Sequence, residues 1–119
     1  MSVSQMATSR LYKLIESLCS KRNVNLPVEL GKCLYEPVEN GVELYLAHFL
    51  LDSQHIDYTS PIAKITFNVN AQGWCFYVPQ YQGEELHWTP YPHLPYSHSL
   101  EVLIRELESD PQAYFWADN

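Results

Sequence analysis

The residues best suited to ligand chemistry lie in the second half of the chain. Residues 62–69, 74–78 and 86–91 alternate between apolar and polar side chains, which indicates three antiparallel strands. Their polar face carries a cation, a histidine and two phenols: Lys64, Tyr77, His87 and Tyr91. These groups can bind an anionic or planar ligand by hydrogen bonds and stacking. We therefore predict a candidate ligand-binding face; a mixed, solvated outer face of a sheet is the alternative.

Catalytic chemistry has less support in the residue pattern. Cys75 falls on the same predicted face as His87, but a cysteine in mid-strand has no helix N-terminus or held imidazole to stabilise its thiolate. Cys19 and Cys33 fall on apolar faces and are typical of small core residues. The sequence thus predicts no catalytic residue and favours a non-enzymatic protein.

Metal and cofactor sites are not indicated either. Zinc sites need three or four ligands, usually with a close pair at fixed spacing. The histidines lack such a spacing: His48, His55, His87, His93 and His98. Phosphate-binding loops and the motifs of dinucleotide-binding or esterase sites do not occur. We expect no metal and no cofactor.

Length and charge restrict the class of protein. The chain has 119 residues, which fit one domain, 1–119, with residues 1–8 flexible and 9–119 globular. The net charge of −7 argues against bulk nucleic-acid binding, which requires a positive surface. Without a signal peptide, a membrane-spanning apolar run or paired cysteines, a cytoplasmic protein with no membrane contact is expected.

Two amphipathic helices flank the predicted sheet. The first carries an apolar stripe at helical spacing, begins at a Thr8 or Ser9 cap and ends near Asn23–Pro27. Its stripe comprises Leu11, Leu14, Ile15, Leu18 and Cys19. The second follows Ser97 or Ser99 as cap and ends at about Ser109, before Pro111. Its stripe comprises Leu100, Leu103, Ile104 and Leu107. The first helix is basic and the last third of the chain acidic, so the two are expected to attract each other.

A hairpin follows the first helix, with Asn40-Gly41 as its turn. This register pairs Tyr35 with Leu46 and places one apolar set on the core side: Cys33, Tyr35, Val42, Leu44, Leu46 and Leu50. The opposite face carries Lys32, Glu36, Glu43, Tyr45 and Phe49. A polar loop over residues 52–60 then leads to the next strand.

The last three strands supply the larger apolar face. A turn at residues 70–73 places Ile65, Phe67, Val69, Trp74, Phe76 and Val78 together on that face. Pairing Tyr77 with His87 adds Leu86 and Trp88 to it, so that Trp88→Ala is expected to cost about 3–5 kcal/mol. Proline residues 90, 92 and 95 then stop strand pairing.

The fold class is α+β: an N-terminal helix, a curved antiparallel sheet of about five strands, and a C-terminal helix, with both helices on one sheet face.

Several short aromatic motifs resemble a known family. They are Pro61-Ile62-Ala63-Lys64, then Trp74 and Tyr77, then His87-Trp88 and Tyr91, then Leu103 to Leu107 and Asp110-Pro111 before Phe115-Trp116. Together they resemble a family of short bacterial proteins known only as a domain of unknown function. The resemblance implies a bacterial source, and it implies no activity, cofactor or site residue.

Three hypotheses about function remain open. The leading one is a small binding or protein-interaction module, in the form of a homodimer or a complex with another protein. Its candidate interaction residues are the apolar tail residues Tyr114, Phe115 and Trp116, which must dock on the core or on a partner. The alternatives are a ligand-binding protein or enzyme using Lys64, Tyr77, His87 and Tyr91, and single-stranded nucleic-acid binding by stacking on Tyr77 and Tyr91.

Overall fold

A computed structural model of the protein describes residues 3–25, 31–50 and 56–116. It has two helices and six strands in these ranges: α1 Val3–Asn25, β1 Lys32–Val38, β2 Gly41–Phe49, β3 Ile56–Asn68, β4 Gly73–Gln82, β5 Glu85–Pro90, β6 Tyr96–Ser97 and α2 Leu100–Ser109. The sheet is antiparallel and curved, in the order β1-β2-β3-β4-β5, with β6 paired to β4. The predicted α+β class is confirmed. Within these ranges, neither helix combines the length and the apolar character of a membrane span.

Helix α1 packs on the sheet through the predicted stripe. Leu11, Ile15, Leu18 and Cys19 are buried, and Leu14 is half-buried against the same core. The predicted start is wrong, because the helix begins at Val3 and Thr8 lies inside it. The Thr8 hydroxyl donates to the Gln5 carbonyl, a bond available to a threonine within a helix as well as to a cap.

The first hairpin keeps its predicted faces although its turn lies elsewhere. Val38 pairs with Gly41, so the two turn residues are Glu39 and Asn40, and Asn40 takes the positive φ of 59°. This register differs from the predicted one by two residues, which leaves every side chain on the same face. Gly41 is needed for another reason: a Cβ there would overlap the Ile65 carbonyl oxygen. Of the predicted core set, Leu50 lies beyond β2 and is exposed.

Strand β3 begins earlier than expected. The segment predicted as a polar loop becomes strand from Ile56, and residues 51–55, His55 among them, lie outside the described residues. Its first part pairs with β2, where the rings of Tyr58 and His48 stack with centroids 4.3 Å apart. The turn before β4 starts one residue early, so Val69 is exposed and not part of the core.

The register of β5 is the main error of the sequence prediction. Strand β4 runs to Gln82, and the turn is Gly83-Glu84, with Gly83 at φ 64°. Tyr77 therefore pairs with Pro90, and His87 pairs with Gln80. The shift of three residues is odd, so all of β5 is inverted. Leu86 and Trp88 lie on the outer face, and His87 on the face turned toward the helices.

The proline-rich segment after β5 stays along β4. The Tyr91 amide donates to the Phe76 carbonyl at 2.8 Å, and the Phe76 amide to the Pro95 carbonyl at 3.0 Å. Two residues of this segment form the unpredicted strand β6, opposite Trp74 and Cys75. Proline lacks an amide donor, but these two bonds use the amides of Tyr91 and Phe76, so the prolines do not prevent them.

Helix α2 agrees with its prediction. It follows Ser99, ends at Ser109, and buries all four stripe residues. Asp110 ends it in the left-handed conformation, at φ 46°. Both helices, the inner sheet face and the tail share one core of buried residues.

Candidate functional site

The structure brings together two of the four predicted ligand residues. Lys64 and Tyr77 are paired across β3 and β4, and both are half-buried on the outer face of the sheet. The Lys64 ammonium lies 3.8 Å from the Glu43 carboxylate on β2. Burial and the neighbouring Cys75 raise the pKa of the Tyr77 phenol. The two residues are thus neighbours on one face of the sheet, as predicted.

The other two predicted residues lie elsewhere. His87 is on the opposite face of β5, where its ring contacts the Glu85 carboxylate at 3.5 Å. Tyr91 is fully buried among aromatic rings and donates its hydroxyl to Glu106 at 2.7 Å. The predicted placement of both on the outer face is therefore wrong, because it depended on the inverted register of β5.

A groove opens on the outer face where β4 and β5 extend past the core. We call it the outer groove; its volume is about 390 Å³. All five strands of the main sheet contribute to its lining: Glu36, Glu43, Leu44, Tyr45, Ile56, Thr59, Pro61, Tyr81, Leu86 and Trp88. Curvature of the sheet explains how β1 and β5 line one concavity although three strands separate them.

Aromatic side chains form much of the outer groove. Tyr45 comes from β2, Tyr81 from the end of β4 and Trp88 from β5. Tyr81 and Leu86 are directly paired across the hairpin and both are exposed, while Trp88 is half-buried. Large exposed apolar side chains gathered in a concavity are typical of binding surfaces.

Two carboxylates give the outer groove a negative side. Glu36 and Glu43 are cross-strand partners on β1 and β2, which places like charges next to each other. Lys64 follows in the same row across the sheet, next to Glu43. This row across three strands thus carries two acids and one cation, with the cation next to Glu43.

Sequence reasoning assigned some of these residues correctly. Glu36, Glu43 and Tyr45 were predicted on the outer face of the first hairpin and line the outer groove. The sequence pattern predicts Trp88 in the core, and Tyr81 lies outside the predicted strand 74–78. The sequence predicts a turn near Gln82-Gly83, whereas a two-residue turn that begins at Gly83 extends β4 to Gln82 and fixes the pairing of β5.

The tail residues predicted to mediate interaction pack mainly on their own chain. Phe115 and Trp116 are buried, and the Phe115 ring stacks on Phe76 with centroids 5.2 Å apart. The Trp116 indole donates to the Leu107 carbonyl at 2.7 Å. Tyr114 is exposed and lines a second concavity beside β4 and β5.

No group of three or more potential metal ligands occurs among the described residues, His55 being outside them. His93 packs edge-on against Tyr114, and His98 lies beside the Tyr96 hydroxyl. Cys75 is half-buried opposite Thr66 and Tyr96, away from His87 on β5. The pairing of Cys75 with His87 considered from the sequence is not formed.

Comparison with known proteins gives one match, to a family model. The model is described as "Domain of unknown function (DUF3024)" and matches residues 3–117. The chain belongs to this family. The resemblance found in the sequence is thereby confirmed, and the DUF3024 match spans both helices and all six strands. The outer groove therefore lies within the DUF3024 domain. No curated protein and no solved structure matches the chain.

Proposed function

We propose that the protein is a non-enzymatic binding module whose outer groove holds a basic side chain of a protein partner. The observation that carries this proposal is the combination of three aromatic side chains and two carboxylates in one concavity of about 390 Å³. An arginine or lysine has an apolar stem and a cationic end. The aromatic side chains of the groove suit the stem, and the carboxylates suit the cationic end.

The aromatic part of the groove favours a cationic group. A guanidinium or ammonium over the face of Trp or Tyr gains about 0.5–2 kcal/mol from the ring quadrupole. Trp88 and Tyr81 line the groove and can supply such a ring, and Ile56 and Leu86 in the same lining offer surface for the stem.

The charge of the groove and of the whole chain point to the same partner. Glu36 and Glu43 can accept charge-assisted hydrogen bonds from a basic side chain. The net charge of −7 attracts a basic segment and repels nucleic acid at a distance. We therefore expect no bulk nucleic-acid binding.

Other predictions from the sequence accompany this proposal. A homodimer stays a prediction. Of the tail residues that suggested it, Phe115 and Trp116 are buried in the core of their own chain. Ligand contact by Lys64 and Tyr77 stays a prediction as well, as do the bacterial source and the cytoplasmic location. Lys64 would act in the proposed site by holding Glu43 in place.

The test uses capped pentapeptides with one central residue between glycines. That residue is arginine or citrulline, which has nearly the same shape without the charge. Binding is followed by the indole NMR signal of Trp88. We expect the arginine peptide alone to shift this signal, and Glu36→Gln to weaken binding about three- to tenfold, the equivalent of one ordinary hydrogen bond.

Glu108→Gln serves as the control, because it removes the same charge from an exposed position on α2. Its binding should equal that of the unaltered protein. Equal binding of the citrulline peptide, or no shift of Trp88 at millimolar peptide, would exclude the basic-side-chain proposal. Sedimentation velocity on the same samples reports whether the protein is a homodimer.

A further inference from the structure

Two of the three cysteines meet inside the core. Cys19 projects from α1 and Cys33 from β1, and their sulfur atoms are 2.8 Å apart. This is closer than two carbon atoms in van der Waals contact, at about 3.5–4.0 Å. The sequence suggested small core residues at both positions and no pairing between them. A pair of thiols in contact can do chemistry that a single buried thiol cannot.

The backbone around the pair is held by Asn23, near the end of α1. Its side-chain amide donates to the Cys33 carbonyl at 2.9 Å and accepts from the Cys33 amide at 2.7 Å. These two bonds satisfy the Cys33 amide and carbonyl, which at the edge of the sheet have no neighbouring strand to pair with. They fix Cys33 relative to α1, so the two sulfur atoms are placed together before any bond forms.

The two thiols differ in acidity. A hydrogen bond from Cys33 lowers the pKa of Cys19; burial opposes this effect, and the nearby positive charge of Arg22 adds to it. The same hydrogen bond and burial raise the pKa of Cys33. Cys19 also retains 5% of its surface in contact with solvent, whereas Cys33 has none. A small oxidant would therefore meet Cys19 first, as the more readily ionised sulfur.

We propose that Cys19 and Cys33 form an oxidation site that closes to an intramolecular disulfide in the folded protein when it meets a peroxide. The Cys19 thiolate attacks one peroxide oxygen, the O–O bond breaks, and hydroxide leaves to give a sulfenic acid at Cys19. Cys33 then attacks that sulfur, the S–O bond breaks, and the Cys33 proton leaves with the hydroxyl as water. Two thiols and one hydrogen peroxide yield one disulfide and two waters.

The disulfide would fasten α1 to the edge strand β1. These elements are otherwise held by core packing and by the Asn23 bonds. Closing a loop of 14 residues restricts the unfolded chain, and on the loop-entropy account this raises the melting temperature by roughly 10 °C. Thiol reductants would reverse the change, as expected for a redox-sensing pair in a reducing compartment.

The experiment uses folded Cys75→Ser protein, which retains only the proposed pair, treated with hydrogen peroxide. We expect the loss of two hydrogen atoms by intact mass, and a linked pair of peptides containing Cys19 and Cys33 in a non-reducing tryptic digest. The melting temperature should rise and return to its starting value with dithiothreitol. Unaltered protein should give the same linked peptides, because Cys75 takes no part.

Three results would overturn the proposal. They are sulfinic or sulfonic acid at Cys19 without a linked peptide, disulfides only between molecules, and a disulfide that forms only in denaturant. Cys33→Ala gives an independent measurement: peroxide should then leave Cys19 as a sulfenic acid trapped by dimedone. If that variant does not fold, the peptide mapping of Cys75→Ser protein decides alone.

Discussion

Tyr91 carries a phenol that is closed off from solvent and bonded to the Glu106 carboxylate at 2.7 Å. Its ring lies among Phe76, Tyr114 and Phe115. Burial raises the pKa of Tyr91 above its ordinary value of 10.0, and the hydrogen bond and charge of Glu106 raise it further. The phenol keeps its proton at pH values where the unfolded chain loses it, so this residue links stability to alkaline pH.

We predict that the free energy of unfolding decreases above about pH 10, by up to about 1.4 kcal/mol per pH unit from this residue. The sign follows from proton binding: above the unfolded pKa the native state holds more protons, so stability is lost as pH rises. Urea unfolding from pH 8 to 11 measures the slope. Tyr91→Phe should reduce the slope, and an unchanged slope in that variant would refute the assignment to Tyr91.

At the scale of secondary structure, the β4–β5 hairpin determines which aromatic residues stabilise the fold and which remain available for binding. Trp74, near the start of β4, is buried against Phe67 with ring centroids 4.9 Å apart. Trp88, on β5, is half-buried on the outer face and lines the outer groove. The sequence pattern predicts both tryptophans on the apolar face, but they belong to opposite faces of one sheet.

The two tryptophans should respond differently to truncation. Trp74→Ala is expected to lower the free energy of unfolding by about 3–5 kcal/mol, because it opens a cavity in the core. Trp88→Ala should cost about 1 kcal/mol, as only part of its surface is buried. Urea midpoints of both variants give the comparison. Equal losses would show that Trp88 belongs to the core, as its sequence pattern first indicated.

For the whole molecule, the C-terminal tail closes the core and connects the two helices. Asp110 is buried, and its carboxylate accepts the backbone amides of Tyr114, Phe115 and Trp116 at 2.7–3.1 Å. Trp116 then lies under the Arg22 guanidinium of α1, 3.7 Å from the ring centre. Arg10 of α1 also pairs with Glu101 of α2. The basic first helix and the acidic end of the chain thus contact each other within the fold, as their charges suggested.

Asp110→Ala is expected to lower the free energy of unfolding by about 3 kcal/mol or more, because three amides lose a charged acceptor. Asp110→Asn should cost less, since it keeps one acceptor oxygen and tolerates the left-handed conformation. Thermal and urea unfolding measure both. Glu108→Ala removes a charge from an exposed position of the same helix. If it destabilised the protein as much as Asp110→Ala, the role given to this carboxylate would be refuted.

Sequence patterns alone predicted the elements whose burial is encoded locally. Both helical stripes and the inner residues of β2, β3 and the first half of β4 were placed correctly, since alternation and helical spacing report which side is apolar. The first hairpin kept its faces because its register error was even. The faces of Glu36, Glu43 and Tyr45 were therefore predictable, and with them one side of the outer groove.

Tertiary structure decided the register of β5 and the contacts between separate elements. The register of β5 depends on one turn at Gly83-Glu84, and an odd shift there exchanged Trp88 with His87 and Tyr91 between faces. The Cys19–Cys33 contact joins a helix to a strand, and no local pattern encodes a contact between two separate elements. Alternation identifies two faces for each strand but does not say how neighbouring strands align, because backbone hydrogen bonds pair equally well in several registers until packing selects one.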